Sequence, residues 1–175
     1  FKYSNNLDYL ERTKIFIKFS LVSIGIVFRE DFDIIFTTST PLTMGIPGIF
    51  ARWFKMKPFI FEVRDLWPEL PRAMGVIKNP FIFQMIRFLE WASYCSANRL
   101  IALSPGILKG ITEKTSNTKK VDMIPNCSSL NLFSDNFSTR PKGVSQNDLM
   151  VIYAGTHGVA NGLDAVLDAA FILKK

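Results

Sequence analysis

Charged side chains directly follow an apolar run in the stretch FIFEVRDLWPELP, Phe59 to Pro71. The run is typical of a buried strand, and Arg64, Asp65 and Glu69 come just after it. In an open parallel sheet, ligands bind beyond the carboxyl ends of the strands. We therefore predict that these three residues are catalytic and that Asp65 orients a substrate hydroxyl. The alternative interpretation is that Arg64 and Asp65 simply pair with neighbouring residues and end the strand.

Hydroxyl and amide side chains are expected at the same edge of the sheet. Thr38 and Ser39 follow one apolar run, Ser104 follows another, and Asn126 follows a third. Because the carboxyl ends of parallel strands meet at one edge, we predict that these four residues form a polar rim. We call this edge, with the residues directly after its strands, the carboxyl edge.

A turn containing two glycines occurs near the end of the chain, after the apolar run LMVIYA and before a helical pattern. It consists of Gly155, Thr156, His157 and Gly158. Glycine permits close approach of the backbone to a ligand, and a helix N-terminus offers unpaired N–H groups to phosphate. These residues therefore predict a phosphate site. The alternative is a tight connection between strand and helix in which His157 fills the turn.

Segments of strand length and helix length alternate along the chain. This alternation predicts an α/β fold with a Rossmann-like parallel sheet flanked by helices. Apolar runs predict strands starting near Asp33, Pro58, Arg99 and Lys119. Helices are predicted over residues 7–28, with a deeply buried second half, over 40–54 and 79–97, and from Ser104.

The composition changes between residues 128 and 148, where Ser, Asn, Asp, Lys and Pro predominate. This segment is typical of a linker. We predict one domain over residues 1–148 and the first strand and helix of a second domain over 149–175. We expect the first domain to lack its start and the second to be truncated, so that this chain is inactive by itself.

The overall composition excludes a disordered chain, because 48% of the 175 residues are hydrophobic and 21% are charged. The net charge of +6 fits an anionic ligand or an anionic membrane surface. Cys95 and Cys127 are predicted to be buried free thiols in a reducing compartment. No signal peptide is visible, and no apolar stretch is long enough to span a membrane, so we expect a cytoplasmic protein.

The segment FEVRDLWPELPRAMGVIKNP resembles the N-terminal domain of glycosyltransferase family 4, which has the GT-B fold. It is similar to the bacterial branch that builds surface polysaccharides, including N-acetyl-fucosamine transferases. Four further segments resemble the family in order: TTSTPLTMGIPGIFAR, FLEWASYCSANRLIALSPG, VDMIPN and VIYAGTHGVANGLDAVLDAA. One departure matters, because many members have histidine where this chain has Arg64, and arginine cannot act as a base near neutral pH.

The resemblance implies an enzyme that transfers a sugar, with retention, from a nucleotide-diphosphate donor to a glycan or lipid-linked acceptor. The turn at residues 155–158 would bind the donor, and Thr38, Ser39, Ser104 and Asn126 would lie on the acceptor side. No metal, other cofactor or nucleic acid is expected. Two alternatives remain: an oxidoreductase or epimerase that binds a nucleotide cofactor on a similar sheet, and a non-catalytic interaction domain.

Basic and aromatic residues alternate in ARWFKMKPF, Ala51 to Phe59. Such a segment suits a peripheral contact with the inner face of the cytoplasmic membrane. The alternative is that Trp53 and Phe54 pack into the core while Lys55 and Lys57 complement the end of a helix.

Overall fold

The structure is a computed structural model, and the chain divides into two compact units, Phe1–Cys127 and Ser128–Lys175. The division falls where the predicted linker begins, whereas the predicted second domain starts at residue 149. The structure describes residues 9–73, 75, 77–115, 118–129, 140–145, 147–155, 157 and 161–173.

Four parallel strands form the sheet of the first unit, in the spatial order β1-β2-β3-β4. Their bounds are Ile35–Thr38 for β1, Phe59–Val63 for β2, Arg99–Ala102 for β3 and Val121–Met123 for β4. Each strand is joined to the next through helical segments, as parallel neighbours require. The predicted α/β fold with a Rossmann-like parallel sheet is confirmed.

In the described part of the first unit, five α-helices accompany this sheet. They are α1 (Tyr9–Arg29), α2 (Gly45–Phe54), α3 (Glu69–Ala73), α4 (Pro80–Ser96) and α5 (Pro105–Lys114). Short 3-10 helices at Leu42–Met44 and Thr118–Lys120 lead into α2 and β4. Helix α1 precedes β1, and the others lie in the crossovers between consecutive strands.

Two of the predicted helix starts are confirmed by their caps. The Asn79 side chain accepts a hydrogen bond from the Phe81 N–H at 2.8 Å, and the Ser104 hydroxyl accepts one from the Ile107 N–H at 3.3 Å. The predicted start at Thr40 is wrong, because α2 begins at Gly45. The Thr40 hydroxyl donates to a carboxylate on another loop instead of capping a helix.

The core lies between the sheet and the helices. Alternate residues of the two central strands are fully buried: Phe59, Phe61, Val63, Leu100 and Ala102. They pack with Tyr94 of α4 and Ile111 of α5 in one apolar cluster. Burying a large apolar side chain stabilises a fold by about 1.5–3 kcal/mol, so this cluster holds the carboxyl edge in place.

The prediction that the second half of α1 is deeply buried is wrong. In that half Ser20 and Val27 are buried, and five large apolar side chains are exposed: Phe19, Leu21, Val22, Ile26 and Phe28. The helix contacts the first unit along a narrow stripe, where the Ser20 hydroxyl donates to the Thr43 carbonyl at 2.8 Å. The apolar pattern of α1 therefore predicted that other elements cover more of the helix surface than they do.

The prediction of two buried thiols is also wrong, because Cys95 and Cys127 are both exposed free cysteines. Cys95 lies in α4 between the buried residues Tyr94 and Ser96, and helical geometry turns it to the outer face. Cys127 follows β4 in a segment without regular structure, where no helix or strand covers it.

In the second unit, residues 163–173 form the predicted helix, which we label α6 (Leu163–Leu173). The strand predicted from Leu149 is wrong, because residues 149–155 have no regular secondary structure. A strand needs a neighbour to pair its backbone N–H and C=O groups, and the described residues of this unit contain no second strand.

Candidate functional site

Asp65 lies at the carboxyl edge, two residues after β2, and is half-buried. The hydroxyl of Thr40, two residues after β1, donates a hydrogen bond to Oδ2 of Asp65 at 2.9 Å. This contact joins the two loops that leave neighbouring parallel strands. The structure therefore brings together hydroxyl and carboxylate groups at the edge where the sequence predicted a site.

Ser39 has a different position from the one predicted, because it is fully buried. Its hydroxyl accepts hydrogen bonds from the backbone N–H groups of Arg64 at 2.9 Å and Asp65 at 3.4 Å. Its own N–H donates to the Glu62 carbonyl at 2.9 Å, which continues the ladder between β1 and β2. Ser39 therefore fixes the direction in which the chain leaves β2, and it positions Asp65.

Arg64 is exposed, and its backbone is held by Ser39. Among the described residues, no ion pair joins Arg64 to Asp65 or to another carboxylate. Arg64 and Asp65 therefore do not pair with each other, whereas Asp65 does pair with its neighbour Thr40, so the interpretation of these residues as a strand end held by neighbours stays open. A guanidinium without a protein partner at the carboxyl edge can pair with an anionic ligand.

Glu69 does not contact Asp65 in the described part of the chain. Its Oε2 atom lies 2.7 Å from Nζ of Lys114, at the end of α5. The same ammonium donates to the carbonyl of Trp67 at 3.0 Å. Glu69 is thus tied to the side of the domain formed by α5, and its catalytic role stays a prediction.

Four buried polar groups in and after β1 and β2 have no hydrogen-bond partner among the described residues. They are the hydroxyls of Thr37, Thr38 and Thr43 and the indole N–H of Trp67. A buried polar group without a partner costs about 1–3 kcal/mol, so most such groups in native proteins are paired. A bound ligand or a water molecule would supply that partner for the groups at the carboxyl edge.

The other two predicted rim residues, Ser104 and Asn126, differ in whether their side chains are available to contact a ligand. The Ser104 hydroxyl is used as the N-cap of α5. Asn126 is exposed in the segment that leaves β4. The N–H of Ile124 donates to the carbonyl of Ala102 at 2.9 Å, so this segment continues from the carboxyl end of the strand pair. Asn126 is therefore the more accessible of the two.

Of the predicted phosphate site, Gly155 and His157 are described, whereas Thr156 and Gly158 lie outside the described residues. The His157 ring meets the Tyr153 ring edge-on, with 6.0 Å between centroids. A Cβ on Gly155 would lie 2.8 Å from the hydroxyl oxygen of Tyr153. Because residues 149–155 form no strand, these contacts do not decide between a phosphate site and a tight connection between strand and helix, and both stay predictions.

Two aromatic residues of the segment Ala51 to Phe59, Trp53 and Phe54, are exposed to solvent. Trp53 is 60% exposed and Phe54 is 67% exposed, so the interpretation that both pack into the core is wrong. Helix α2 ends at Phe54, and the chain then turns away before β2 begins. The helix end therefore lies at the surface.

The two lysines of this segment contact the chain between α1 and β1. Lys55 donates to the carbonyl of Glu30 and lies 5.0 Å from the ring centroid of Phe32. Lys57 pairs with Asp31 at 3.5 Å. Both lysines therefore have structural partners at the surface.

A buried polar cluster was not predicted from the sequence. Glu90 of α4 is 2% exposed, both of its carboxylate oxygens lie 2.9 Å from Nζ of Lys114, and Tyr94 donates to one of them at 3.0 Å. Burial raises the pKa of Glu90, and Lys114 opposes this effect. Burial and the nearby Glu90 carboxylate also raise the pKa of Tyr94. The i, i+4 spacing of Glu90 and Tyr94 could have indicated that the two side chains meet on one face of α4. Nothing in the sequence indicates that Lys114 of α5 joins them.

The described residues contain no group of three or more His, Cys, Asp or Glu side chains that could hold a metal ion. None of the helices in the described part of the chain is long and apolar enough to cross a membrane.

Comparisons with known proteins do not identify a family. A scan against protein-family models finds no match, and a search of curated proteins finds none either. The resemblance to glycosyltransferase family 4 therefore stays a prediction.

Proposed function

We propose that this chain belongs to a glycosyltransferase that moves a sugar from a nucleotide-diphosphate donor to a glycan or lipid-linked acceptor. The observation that carries the proposal is the contact between Thr40 and Asp65 at the carboxyl edge. This edge is where open α/β sheets bind their ligands. The resemblance of the segment around Asp65 to family 4 adds the reaction class.

Asp65 would hold the acceptor hydroxyl. Its carboxylate is half-buried, and the hydrogen bond from Thr40 occupies one oxygen, Oδ2. The other oxygen can accept a hydrogen bond from a sugar hydroxyl and hold it in line for attack. The loop backbone needs no rearrangement for this role, because Ser39 already fixes it.

Arg64 would contribute positive charge. A departing nucleotide diphosphate develops negative charge, which a guanidinium stabilises with charge-assisted hydrogen bonds. In a reaction with retention of configuration, the leaving phosphate oxygen can itself take the proton from the acceptor hydroxyl. No side chain of the carboxyl edge then has to act as a strong base, which agrees with an arginine beside Asp65.

The acceptor would be carried at a cytoplasmic membrane surface in the biosynthesis of surface polysaccharide. Large apolar side chains are exposed on three helices of the first unit, and α4 presents Phe81, Ile82, Met85 and Phe88. Aromatic side chains suit the interface between lipid and water, and the net charge of +6 favours anionic lipid. These features support a peripheral contact with the bilayer.

A ligand panel tests the reaction class on the protein translated from its complete reading frame. Binding of nucleotide-diphosphate sugars and of NAD would be measured by calorimetry, and sugar transfer by product analysis. We expect a nucleotide-diphosphate sugar to bind and to be consumed, with loss of transfer in Asp65→Asn. Tight NAD binding without sugar transfer would contradict the proposal and favour the oxidoreductase or epimerase alternative.

A further inference from the structure

A concave site lined by neither Thr40 nor Asp65 lies on the side of the domain formed by α3, α4 and α5. It is a cavity of about 550 Å³, within the range of small-molecule sites. We call it the helix cavity. One face of α4 lines it with Arg87, Glu90, Trp91 and Tyr94, which have the i, i+3, i+4, i+7 spacing of a helix stripe.

The buried polar cluster of Glu90, Tyr94 and Lys114 contributes to the lining of the helix cavity. Lys114 lies within hydrogen-bond distance of both Glu90 oxygens and of Glu69, and its single positive charge offsets one of these two carboxylates. A buried ion pair is seldom more stabilising than apolar residues of the same volume. Stability alone therefore gives little reason for this cluster, whereas a binding site needs polar groups held in fixed positions.

Two further cations of the lining are arginines, and the three cations and three carboxylates of the cavity balance overall. Arg72 lies over the Phe83 ring, 4.5 Å from its centroid, and Arg87 is exposed. In the described part of the chain, neither guanidinium forms an ion pair with a carboxylate. Glu113, which also lines the cavity, is 4.0 Å from Lys109 one helical turn away. Two guanidiniums are thus free to receive an anion.

The cavity also offers an apolar surface. Trp91 is 56% exposed although it follows the buried Glu90, and its ring lies 5.6 Å from the Phe88 ring. An exposed indole beside fixed polar groups can stack against the flat face of a ring. A ligand that uses the whole cavity therefore needs both a ring and an acidic group.

We propose that the helix cavity binds an acidic monosaccharide, a sugar ring that carries a carboxylate or a phosphate. Arg72 and Arg87 pair with the acidic group, and the ring packs on Trp91. The acidic group and the ring of the ligand are inferred from the two guanidiniums and the exposed indole of the cavity. The choice of a sugar rests on the proposed function. The site would hold a sugar unit of the glycan away from the reacting atoms at the carboxyl edge.

The test is a titration of the 175-residue chain followed by the indole N–H signals of its three tryptophans in an NMR spectrum. The probes are glucuronate, glucose 6-phosphate, glucose and inorganic phosphate, and Trp91→Phe assigns the Trp91 signal. We expect the two acidic sugars to shift that signal at lower concentration than glucose or phosphate. No donor and no transfer step are involved, so failure of the proposed function would not affect this result.

Variants identify the groups that bind. Arg87→Ala should weaken glucuronate binding roughly tenfold or more, because a charge-assisted hydrogen bond is lost. Lys78→Ala removes an exposed cation that does not line the cavity, and Asp65→Asn alters the carboxyl edge; both should bind as wild type does. Equal loss in Lys78→Ala, equal binding of glucose, or phosphate binding that is as tight as that of glucose 6-phosphate would overturn the proposal.

Discussion

The hydroxyl of Thr40 and the carboxylate of Asp65 are 2.9 Å apart, although 25 positions separate them in the sequence. They meet because β1 and β2 are parallel neighbours whose following loops leave the same edge. The hydrogen bond from Thr40 holds Oδ2 of Asp65 in place, and the other carboxylate oxygen stays available to a substrate.

Replacement of Asp65 by asparagine should lower sugar transfer without destabilising the fold. Asp65→Asn keeps the size and removes the charge, so transfer by the complete protein should fall about 100-fold or more, as for loss of a positioned catalytic group. The melting temperature should stay nearly constant, because Asp65 is only half-buried. Thr40→Val is the matched control and should lower transfer less. A large fall in melting temperature for Asp65→Asn would identify Asp65 as a structural residue instead.

Ser39→Ala should destabilise the fold. The substitution leaves the backbone N–H groups of Arg64 and Asp65 without their acceptor, which should lower the free energy of unfolding by about 1–3 kcal/mol. Urea denaturation measures this change. Thr40→Ala, at an exposed neighbouring position, should stay within about 0.5 kcal/mol of wild type. Equal stability of the two variants would show that Ser39 does not hold the loop.

Many strands and helices of the first unit could be predicted, because the sequence patterns that indicate them lie within a few residues of each element. The strand at Phe59 is an apolar run after a proline, and Asn79 and Ser104 precede prolines at helix starts. The topology then places Asp65 at the carboxyl edge by a general rule. The role of Ser39 was not predictable, since its burial depends on how two loops pack against each other.

The errors came from features that depend on distant parts of the chain. An apolar run at residue 149 has a strand's composition but forms no strand, since pairing needs a neighbour. The exposed apolar face of α1 has the pattern of a buried helix. The pairing of Glu90 with Lys114 spans 24 positions and two helices, and neither residue's local sequence indicates it.

Two helical glycines should respond oppositely to alanine. A Cβ on Gly48 of α2 would lie 2.3 Å from the Phe59 ring, which is fully buried, so Gly48→Ala should destabilise the fold by about 1–3 kcal/mol. Gly25 of α1 has no atom within 4 Å of that position, so Gly25→Ala should stabilise by about 0.5–1 kcal/mol. Urea denaturation measures both. Destabilisation by Gly25→Ala would mean that α1 is packed more tightly than described.

Glu90 should make stability depend on pH. Burial raises the pKa of Glu90 from its ordinary value of 4.5, so the folded protein binds the proton more tightly than the unfolded chain. The corresponding stability is fully present below pH 4.5 and is lost as the pH rises through the raised pKa. Glu90→Gln cannot titrate at this position, so wild type should lose stability relative to this variant as the pH rises from 4.5.

Urea denaturation between pH 4 and 8 measures that difference. Lys114→Met removes the ammonium that opposes the rise in the pKa of Glu90. In this background the loss of stability should therefore extend to higher pH. A wild-type curve that gains stability relative to Glu90→Gln with rising pH would show that attraction to Lys114 outweighs burial, and would contradict the predicted direction.

Exposed apolar residues of α4 give a sharper test of membrane contact than the lysines after α2. Replacing Lys55 and Lys57 by glutamate would disturb the fold as well as the surface, because these lysines contact the chain around Glu30 and Asp31. Phe81 and Met85 lie one turn apart on α4, and both are largely exposed. Phe81→Asp with Met85→Asp should therefore alter the surface with little effect on the core.

Sedimentation with phosphatidylglycerol vesicles at low salt compares the variants. Wild type should sediment, because basic side chains near an anionic surface contribute about 1 kcal/mol each and apolar side chains enter the interface. The α4 double variant should stay largely in solution. The control is Val151→Asp, which places the same charge at an exposed apolar position of the second unit, and it should sediment as wild type does. If all three proteins sediment equally, α4 does not contact the bilayer; if wild type stays in solution, the membrane proposal is wrong.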